Sequence, residues 1–316
     1  MHSEIKRIQE LLAGQGYVAD RAIATSVYLS IALRKPLLIE GAAGVGKTEV
    51  AKVMARSLGT DLIRLQCYEG LDATTALYEW NYQRQLLHIR LSENSDRTLE
   101  EREAEIFSEP FLLKRPLLDA ITRETAPVLL VDEIDRADIE FEAFLLEVLS
   151  DFQVTIPEIG TIRASATPYV VLTSNRTREL GDALRRRCLY LWIDYPTFEK
   201  ELEIVRRKVP GANAQLAEQI AAFMQLVRRI RLEKTPGVAE TLDWTAALLA
   251  LHREHLDRDT VEETLGVLFK HQDDAALIRT QWLDRLLDGV AALDRDGAPW
   301  SQERIAQVAQ RLDARR

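Results

Sequence analysis

Short apolar runs recur along the first two thirds of the chain, and stretches with helical periodicity separate them. Runs of this length are typical of strands buried on both faces of a sheet. Their alternation with helices indicates βαβ units and therefore a parallel sheet. The pattern predicts an α/β fold with five parallel strands, which fall within residues 36–40, 61–66, 126–135, 167–175 and 188–194.

The pattern changes after the last of these runs, and from about Thr197 onward it is helical throughout. One predicted helix begins behind an Asn213 cap and carries a single apolar stripe, which is the signature of a helix packed on a core. The sequence therefore predicts an α/β domain over 1–195 and a smaller all-helical domain over 196–316. The stripe consists of Leu216, Ile220, Phe223, Val227 and Ile230.

Composition narrows the classes of function. The chain has 316 residues, a formal net charge of −9 and a pI near 5.3, which opposes bulk attraction to nucleic acid or to an anionic membrane. Cys67 and Cys188 are far apart and lack a metal-ligand spacing, which favours a reducing compartment. No signal-peptide or membrane-spanning pattern is found, so we expect a cytoplasmic protein, peripheral to membranes at most.

A glycine-rich loop follows the first predicted strand and opens a helix. Its sequence fits GxxxxGK[ST], in which backbone amides surround phosphates, Lys47 neutralises the β and γ oxygens, and Thr48 binds Mg²⁺. The motif predicts that a nucleoside triphosphate binds here. Besides Lys47 and Thr48, the predicted nucleotide-binding residues of the loop are Gly41, Ala42, Ala43, Gly44, Val45 and Gly46.

Acidic and amide side chains follow two further strands. Asp132 and Glu133 come at the carboxyl end of "VLLV", where ligands of open α/β sheets bind. Asp132 suits a role beside Mg²⁺, and Glu133 is placed to polarise an attacking water. Asn175 ends the "VVLTSN" strand and could position that water, although a strand-end Asn also commonly makes a turn.

Three arginines, Arg185, Arg186 and Arg187, precede the last predicted strand. At a helix end such residues complement the helix dipole in any protein. The alternative is an arginine finger that reaches the γ-phosphate of a neighbouring subunit, which requires a ring or at least a dimer.

In this order the motifs, followed by a helical lid, resemble the AAA+ ATPases. "DEIDRA" and the segment "FQVTIPEIGTIRA" are similar to the MoxR family, and "YEGLDATTALYEWNYQRQLLHIR" is most similar to its CoxD-like subgroup, encoded beside carbon monoxide dehydrogenase. The resemblance implies ATP and Mg²⁺ as ligands, Asn175 as first sensor, and Arg187 or else Arg186 as the finger. It also implies a homo-oligomeric ring, expected to be a hexamer. The lid stretch "PGVAETLDW" offers Thr241 but no arginine as second sensor.

The stretch around Tyr78, Trp80 and Tyr82 sets large aromatics at every second position, followed by Arg84, which predicts a strand. The resemblance places an inserted hairpin at about 70–92 and a pre-sensor hairpin at about 152–164. We expect Tyr78, Trp80, Tyr82 and Arg84 to contact a partner protein. Packing of the aromatics on their own domain, or stacking on nucleic acid bases, are the alternatives.

The resemblance implies a remodelling ATPase that assists maturation or metal-cofactor assembly of a metalloenzyme, together with a partner that carries a von Willebrand factor A (VWA) domain. Other hypotheses are a nucleic-acid motor, an activator of a carboxylating enzyme, and a module that switches on nucleotide occupancy with negligible turnover. The acidic composition makes nucleic acid the less favoured partner.

Overall fold

A computed structural model describes residues 2–92, 98–295 and 298–313. Contacts divide the chain into two compact units. The first unit comprises 1–15, 19–41 and 47–192, and the second comprises 16–18, 42–46 and 193–316. The sequence places the domain boundary at 195/196, and in the structure the boundary between the two units falls between Trp192 and Ile193. Residues 42–46, the middle of the glycine-rich loop, belong to the second unit by their contacts.

Five strands of the first unit form the sheet that the sequence predicts. They are β1 (Leu37–Gly41), β2 (Leu62–Gln66), β5 (Val128–Asp132), β8 (Tyr169–Ser174) and β9 (Leu189–Ile193), and their order across the sheet is β2-β5-β8-β1-β9. The register pairs Gln66 with Asp132 and Glu40 with Ser174, so the carboxyl ends of neighbouring strands lie side by side. The prediction of a five-stranded parallel sheet is confirmed.

Strands β1 and β5 are buried along their whole length, as expected for parallel strands covered on both faces. Edge strand β2 alternates buried and more exposed residues instead. The helices of this unit are α1 (His2–Gly14), α2 (Arg21–Leu33), α3 (Lys47–Leu58), α4 (Ala73–Leu77), α5 (Tyr82–Leu91), α6 (Leu99–Ile106), α7 (Pro116–Thr122), α8 (Ile139–Asp151) and α9 (Asp182–Arg187).

The aromatic stretch is not the strand that its alternation predicts. Only β3 (Tyr78–Trp80) is extended, and it pairs antiparallel with the distant β4 (Leu112–Lys114) instead of forming a hairpin within 70–92. Asn81 then begins helix α5, because its side chain accepts a hydrogen bond from the Arg84 amide at 3.0 Å. The predicted strand through Tyr82 and Arg84 is therefore wrong.

Trp80 is buried in the core of the first unit. Its ring makes edge contacts with Phe107 and Tyr78, at centroid distances of 5.2 and 6.1 Å. Tyr82, in contrast, is 62% exposed at the start of α5. Packing on its own domain, one of the alternatives for the aromatic stretch, is what the structure shows for Trp80. Tyr78, Trp80 and Tyr82 do not share one face of a strand, because Tyr82 lies in α5.

A two-stranded hairpin lies within 152–164. It consists of β6 (Gln153–Ile156) and β7 (Gly160–Arg163), paired antiparallel with Ile156 opposite Gly160. Gly160 is the first residue of β7 and not the centre of the turn, and its φ of +98° is a conformation that favours glycine.

The second unit is helical. An apolar cluster fills its interior, in which the rings of Phe223 and Trp244 lie 5.1 Å apart. Asn213 caps α11 as the sequence predicts, accepting from the Leu216 amide at 2.7 Å. Its helices are α10 (Phe198–Lys208), α11 (Ala214–Val227), α12 (Val238–Ala250), α13 (Arg258–Leu268), α14 (Gln272–Leu277), α15 (Leu283–Arg295) and α16 (Gln302–Asp313), with a π-helical turn at Ile278–Trp282. No helix in the described ranges is long and apolar enough to cross a bilayer.

Candidate nucleotide-binding site

The glycine-rich loop connects β1 to α3 at the carboxyl edge of the sheet. Gly44 and Gly46 have φ of +76° and +92°, which lie in the left-handed region that non-glycine residues rarely adopt. The loop therefore turns sharply enough to bring the amino end of α3 back toward the strand ends. A helix amino terminus behind such a loop is a ready anion-binding site.

Lys47 is buried at the first position of α3. Its ammonium donates to the Gly41 carbonyl at 2.9 Å and to the Asn175 side-chain oxygen at 2.7 Å. Burial lowers the pKa of Lys47, and the neighbouring carboxylates of Asp135, Asp132 and Glu133 act in the opposite direction. A phosphate beside this ammonium would favour its charged form.

Asp132 is the buried end of β5, and three side chains hold its carboxylate. The Thr48 and Thr173 hydroxyls donate to Oδ1 at 3.0 and 2.5 Å. Arg64, from edge strand β2, donates to Oδ2 through Nε at 3.1 Å and through a terminal nitrogen at 2.6 Å. Sequence reasoning missed Arg64, although Arg64 and Gln66 lie two residues apart in β2 and therefore on the same face of the strand.

Glu133 adopts a left-handed backbone conformation, with φ 56° and ψ 50°. Such a conformation costs a non-glycine residue about 1–3 kcal/mol and is most often retained at functional sites. The side-chain amide of Asn175 donates to Glu133 Oε1 at 3.2 Å, and the side-chain amide of Gln66 donates to Oε2 at 3.1 Å. The predicted base and sensor are therefore adjacent, and each carboxylate oxygen has an amide donor.

Asp135 is a buried acid that sequence reasoning did not select. Its carboxylate accepts from the backbone N–H of Asn175 at 3.2 Å, from the backbone N–H of Thr177 at 2.8 Å and from the Thr177 hydroxyl at 2.7 Å. Asp135 thus fixes the chain that leaves β8 and, with it, the side chain of Asn175. The second aspartate of "DEID" was the only local signal for this role.

These residues fit a nucleoside triphosphate with Mg²⁺. Thr48 and Asp132 place a hydroxyl and a carboxylate 3.0 Å apart, and Mg²⁺ in phosphate sites takes one or two protein ligands with phosphate oxygens and water. Lys47 is the one ammonium placed among three carboxylates in the described cluster, so it suits the β and γ phosphates. We call Lys47, Thr48, Asp132, Glu133, Asp135 and Asn175 the carboxyl-edge cluster.

The three arginines of α9 differ in their surroundings. Arg185 lies 3.8 Å from the carboxylate of the buried Glu40, which also accepts from the Tyr190 hydroxyl at 3.0 Å. Arg186 and Arg187 are both exposed, and the Arg187 guanidinium donates to the Ala183 carbonyl at 3.3 Å. Arg185 is thus engaged within its own unit, and the assignment of Arg187 or Arg186 as a finger stays a prediction.

In the second unit, the loop residues 42–46 contact the start of α12. The Gly44 carbonyl accepts from the Val238 and Ala239 amides at 2.9 and 3.3 Å. A Cβ on Gly237 would lie 2.9 Å from backbone atoms of Ala43 and Gly44, so only glycine fits there without a shift. The close approach of Gly237 had no sequence signal beyond the glycine itself.

Thr241 does not face this loop as a sensor would. Its buried hydroxyl donates to Glu201 at 2.7 Å, within a network in which Arg228 makes two 2.6 Å bonds to the same carboxylate. Thr241 is therefore part of the structural interior of the helical unit, and the second-sensor role stays unassigned.

Residues 36–188 match the family described as the AAA domain of the dynein-related subfamily. The strand order and the carboxyl-edge cluster agree with that match. This part of the chain is similar to an AAA domain. The match extends from the residue before β1 to the residue before β9, so it includes every predicted catalytic and nucleotide-binding residue.

The curated relatives of this chain include a branch migration subunit and a chaperone. RuvB of Thermotoga maritima, a subunit of the Holliday junction branch migration complex, is 28% identical over 52% of this chain. Chaperone MoxR1 of Mycobacterium tuberculosis is 27% identical over 71% of this chain. Both similarities span only about half of the relative, 51% of its length in each case.

Among solved structures, the chain is similar to the Thermotoga maritima RuvB branch migration motor. The similarity has a TM-score of 0.44 at 18% identity and covers 95% of this chain and 80% of that chain.

Proposed function

We propose that this protein is a Mg²⁺-dependent ATPase that hydrolyses ATP to ADP and phosphate. The observation that carries the proposal is the position of Glu133, whose carboxylate is held by the Asn175 and Gln66 amides beside the buried Lys47 ammonium. In this proposal Glu133 accepts a proton from the attacking water, and Asn175 orients both. Positioned bases of this kind contribute about 10²–10⁴ in rate.

The other residues of the carboxyl-edge cluster bind and position. Lys47 compensates the charge of the β and γ phosphates, and Thr48 with Asp132 holds Mg²⁺, which when bound stabilises charge on the transferring phosphoryl group. Arg64 and Thr173 keep the Asp132 carboxylate in one orientation through bonds of 2.6 and 2.5 Å. Asp135 does the same for the strand end that carries Asn175.

The work that hydrolysis drives is, in our proposal, remodelling of a protein client. Similarity to chaperone MoxR1 over 71% of this chain supports that class. The MoxR-like and CoxD-like sequence segments extend the proposal to maturation or cofactor assembly of a metalloenzyme with a VWA-domain partner. Activation of a carboxylating enzyme is a variant of the same class of function.

A nucleic-acid motor is the second candidate, and the similarity to RuvB at 28% identity favours it. The formal charge of −9 opposes it, because phosphate-backbone binding relies on clustered lysine and arginine. Stimulation of ATP turnover by duplex or junction DNA that falls steeply with salt would establish this candidate. Stimulation by an unfolded protein alone would exclude it.

The turnover assay is phosphate release by the wild type, Glu133→Gln and Lys47→Ala, with Glu140→Gln as an exposed-acid control. We expect Glu133→Gln to lose about 10²–10⁴ in kcat while it still binds ATP. Lys47→Ala should lose binding, and EDTA should stop the wild type. Wild-type turnover in Glu133→Gln would refute the assignment of Glu133.

The same assay tests the ring and the finger. If Arg187 or Arg186 acts on a neighbouring subunit, the Arg186→Ala/Arg187→Ala variant will be inactive alone. Mixing it with Glu133→Gln should then restore part of the turnover, since some sites combine an intact Glu133 with an intact arginine. Two inactive variants that stay inactive when mixed, although they co-assemble by sedimentation, would contradict action between subunits.

A further inference from the structure

Helix α5 exposes its apolar residues and buries one polar residue, Gln85. Tyr82, Leu86, Leu87, Ile89 and Leu91 are between 43% and 78% exposed. These five are among only sixteen large hydrophobic residues that are exposed in the described ranges, although α5 has just ten residues. We call them the α5 apolar face.

The opposite side of α5 is polar and attaches the helix to its unit. Gln85 is buried, and its amide donates to the Ile106 carbonyl at 2.7 Å. One turn later the His88 ring packs on Phe111 at 5.3 Å, with Nε2 3.4 Å from the Glu105 carboxylate. An amphipathic helix normally does the reverse and turns its apolar stripe inward.

The exposed apolar residues form two stripes along the helix, and the exposed Gln83 and Arg90 lie between them. Tyr82, Leu86 and Ile89 have i, i+4, i+7 spacing, and Leu87 with Leu91 has i, i+4 spacing, so neighbouring side chains lie one turn apart. A single exposed leucine needs no explanation, but a contiguous exposed apolar surface marks an interaction site.

Charge indicates what covers this surface. α5 has no acidic residue, and Arg84 and Arg90 are its exposed cations, in a chain whose net charge is −9. His88 faces Glu105, and Arg84 also donates to the Pro110 carbonyl at 2.8 Å. A second copy that packed antiparallel on α5 would set Arg84 of one copy near Arg90 of the other. A ten-residue helix is also only about 15 Å long, too short for the roughly 800 Å² per partner of a stable interface.

We infer that the α5 apolar face binds an apolar peptide segment flanked by acidic residues, in an unfolded or extended part of a client protein. The side chains that give affinity are aliphatic, and Arg84 and Arg90 select the acidic flanks. The inference deepens the proposed remodelling function, and the biological role of the surface rests on that function. Peptide binding itself does not require ATP hydrolysis.

The probes are two fluorescein-labelled peptides with the same core, Leu-Phe-Ile-Leu, one flanked by glutamates and one by lysines. Fluorescence anisotropy gives Kd for the full-length wild type and for Leu86→Ser/Leu87→Ser/Leu91→Ser. The matched control is Leu33→Ser/Ile139→Ser, since these two residues are 55% and 76% exposed outside α5. Phosphate release is measured on every variant.

We expect the glutamate-flanked peptide to bind wild type and control alike, and the triple variant at least tenfold more weakly, with basal turnover unchanged. Arg84→Glu/Arg90→Glu should reverse the preference between the two peptides. Equal binding by the triple variant, or tighter binding of the lysine-flanked peptide by the wild type, would overturn the inference. So would self-association that the triple variant abolishes, because the occupant would then be a second copy.

The two proposals fail in different ways. Absent turnover in the wild type with α5-dependent peptide binding would refute the ATPase and leave the surface standing. Normal turnover with peptide binding independent of α5 would do the opposite.

Discussion

The carboxyl-edge cluster and helix α5 both depart from the usual distribution of side chains, the cluster by burying ionisable residues and α5 by exposing aliphatic ones. At the carboxyl edge of the sheet, ionisable residues are buried and have partners: Thr48, Thr173 and Arg64 donate to Asp132, and Lys47 donates to Gly41 and Asn175. On α5, aliphatic residues are exposed while Gln85 is buried. Both arrangements cost stability, since buried charge requires compensation and exposed apolar surface lacks it. The first is the proposed nucleotide site, and the second is the proposed peptide-binding surface.

The largest effect on stability is expected at Trp80, at the end of the strand that leads into α5. If its ring serves the core, Trp80→Ala will lower the free energy of unfolding by about 3–5 kcal/mol. Tyr82→Ala should change it by less than about 0.5 kcal/mol, because Tyr82 is 62% exposed. Urea denaturation followed by circular dichroism measures both. Nearly equal effects would show that the aromatics form one surface, as their alternation predicted.

The sequence allowed the sheet and most of the carboxyl-edge cluster to be predicted because their signals are local. The glycine loop, the acid pair after "VLLV" and Asn175 each follow an apolar run, and the parallel topology brings strand ends together. Arg64 and Gln66 reach the site through the β2–β5 register, which no local motif encodes.

The error at the aromatic stretch has a similar physical cause. Alternation of Tyr78, Trp80 and Tyr82 predicted a strand, but Asn81 is a helix cap, and "QRQLL" after it consists of good helix formers. The pairing of β3 with β4 joins residues far apart in sequence. Exposure of the leucines on α5 could not be predicted, because periodicity states which residues share a face and not what covers that face.

The second effect concerns the buried acid behind the site. Asp135→Ala removes the carboxylate that accepts from the backbone N–H groups of Asn175 and Thr177 and from the Thr177 hydroxyl. Because a buried donor left without a partner costs about 1–3 kcal/mol, we expect the unfolding free energy to fall by about 3 kcal/mol. Glu140→Ala, an exposed acid nearby on α8, should be neutral. Thermal and urea denaturation measure the free energy of unfolding of both variants. An unchanged free energy in Asp135→Ala would mean that Asp135 does not stabilise the strand end that carries Asn175.

The smallest effect tests the inverted pattern of α5 within a single helix. Gln85→Ala leaves the Ile106 carbonyl without its 2.7 Å donor and should cost about 1–2 kcal/mol. Leu86→Ala, one residue later, should change stability by no more than about 0.5 kcal/mol, since the leucine is 61% exposed and alanine is the better helix former. In an ordinary amphipathic helix the order would be reversed. If urea denaturation gives that ordinary order, Leu86 serves the fold, and α5 offers no free surface for a client. If the glutamine costs more, the leucines of α5 contribute little to stability and are free to serve the proposed peptide binding.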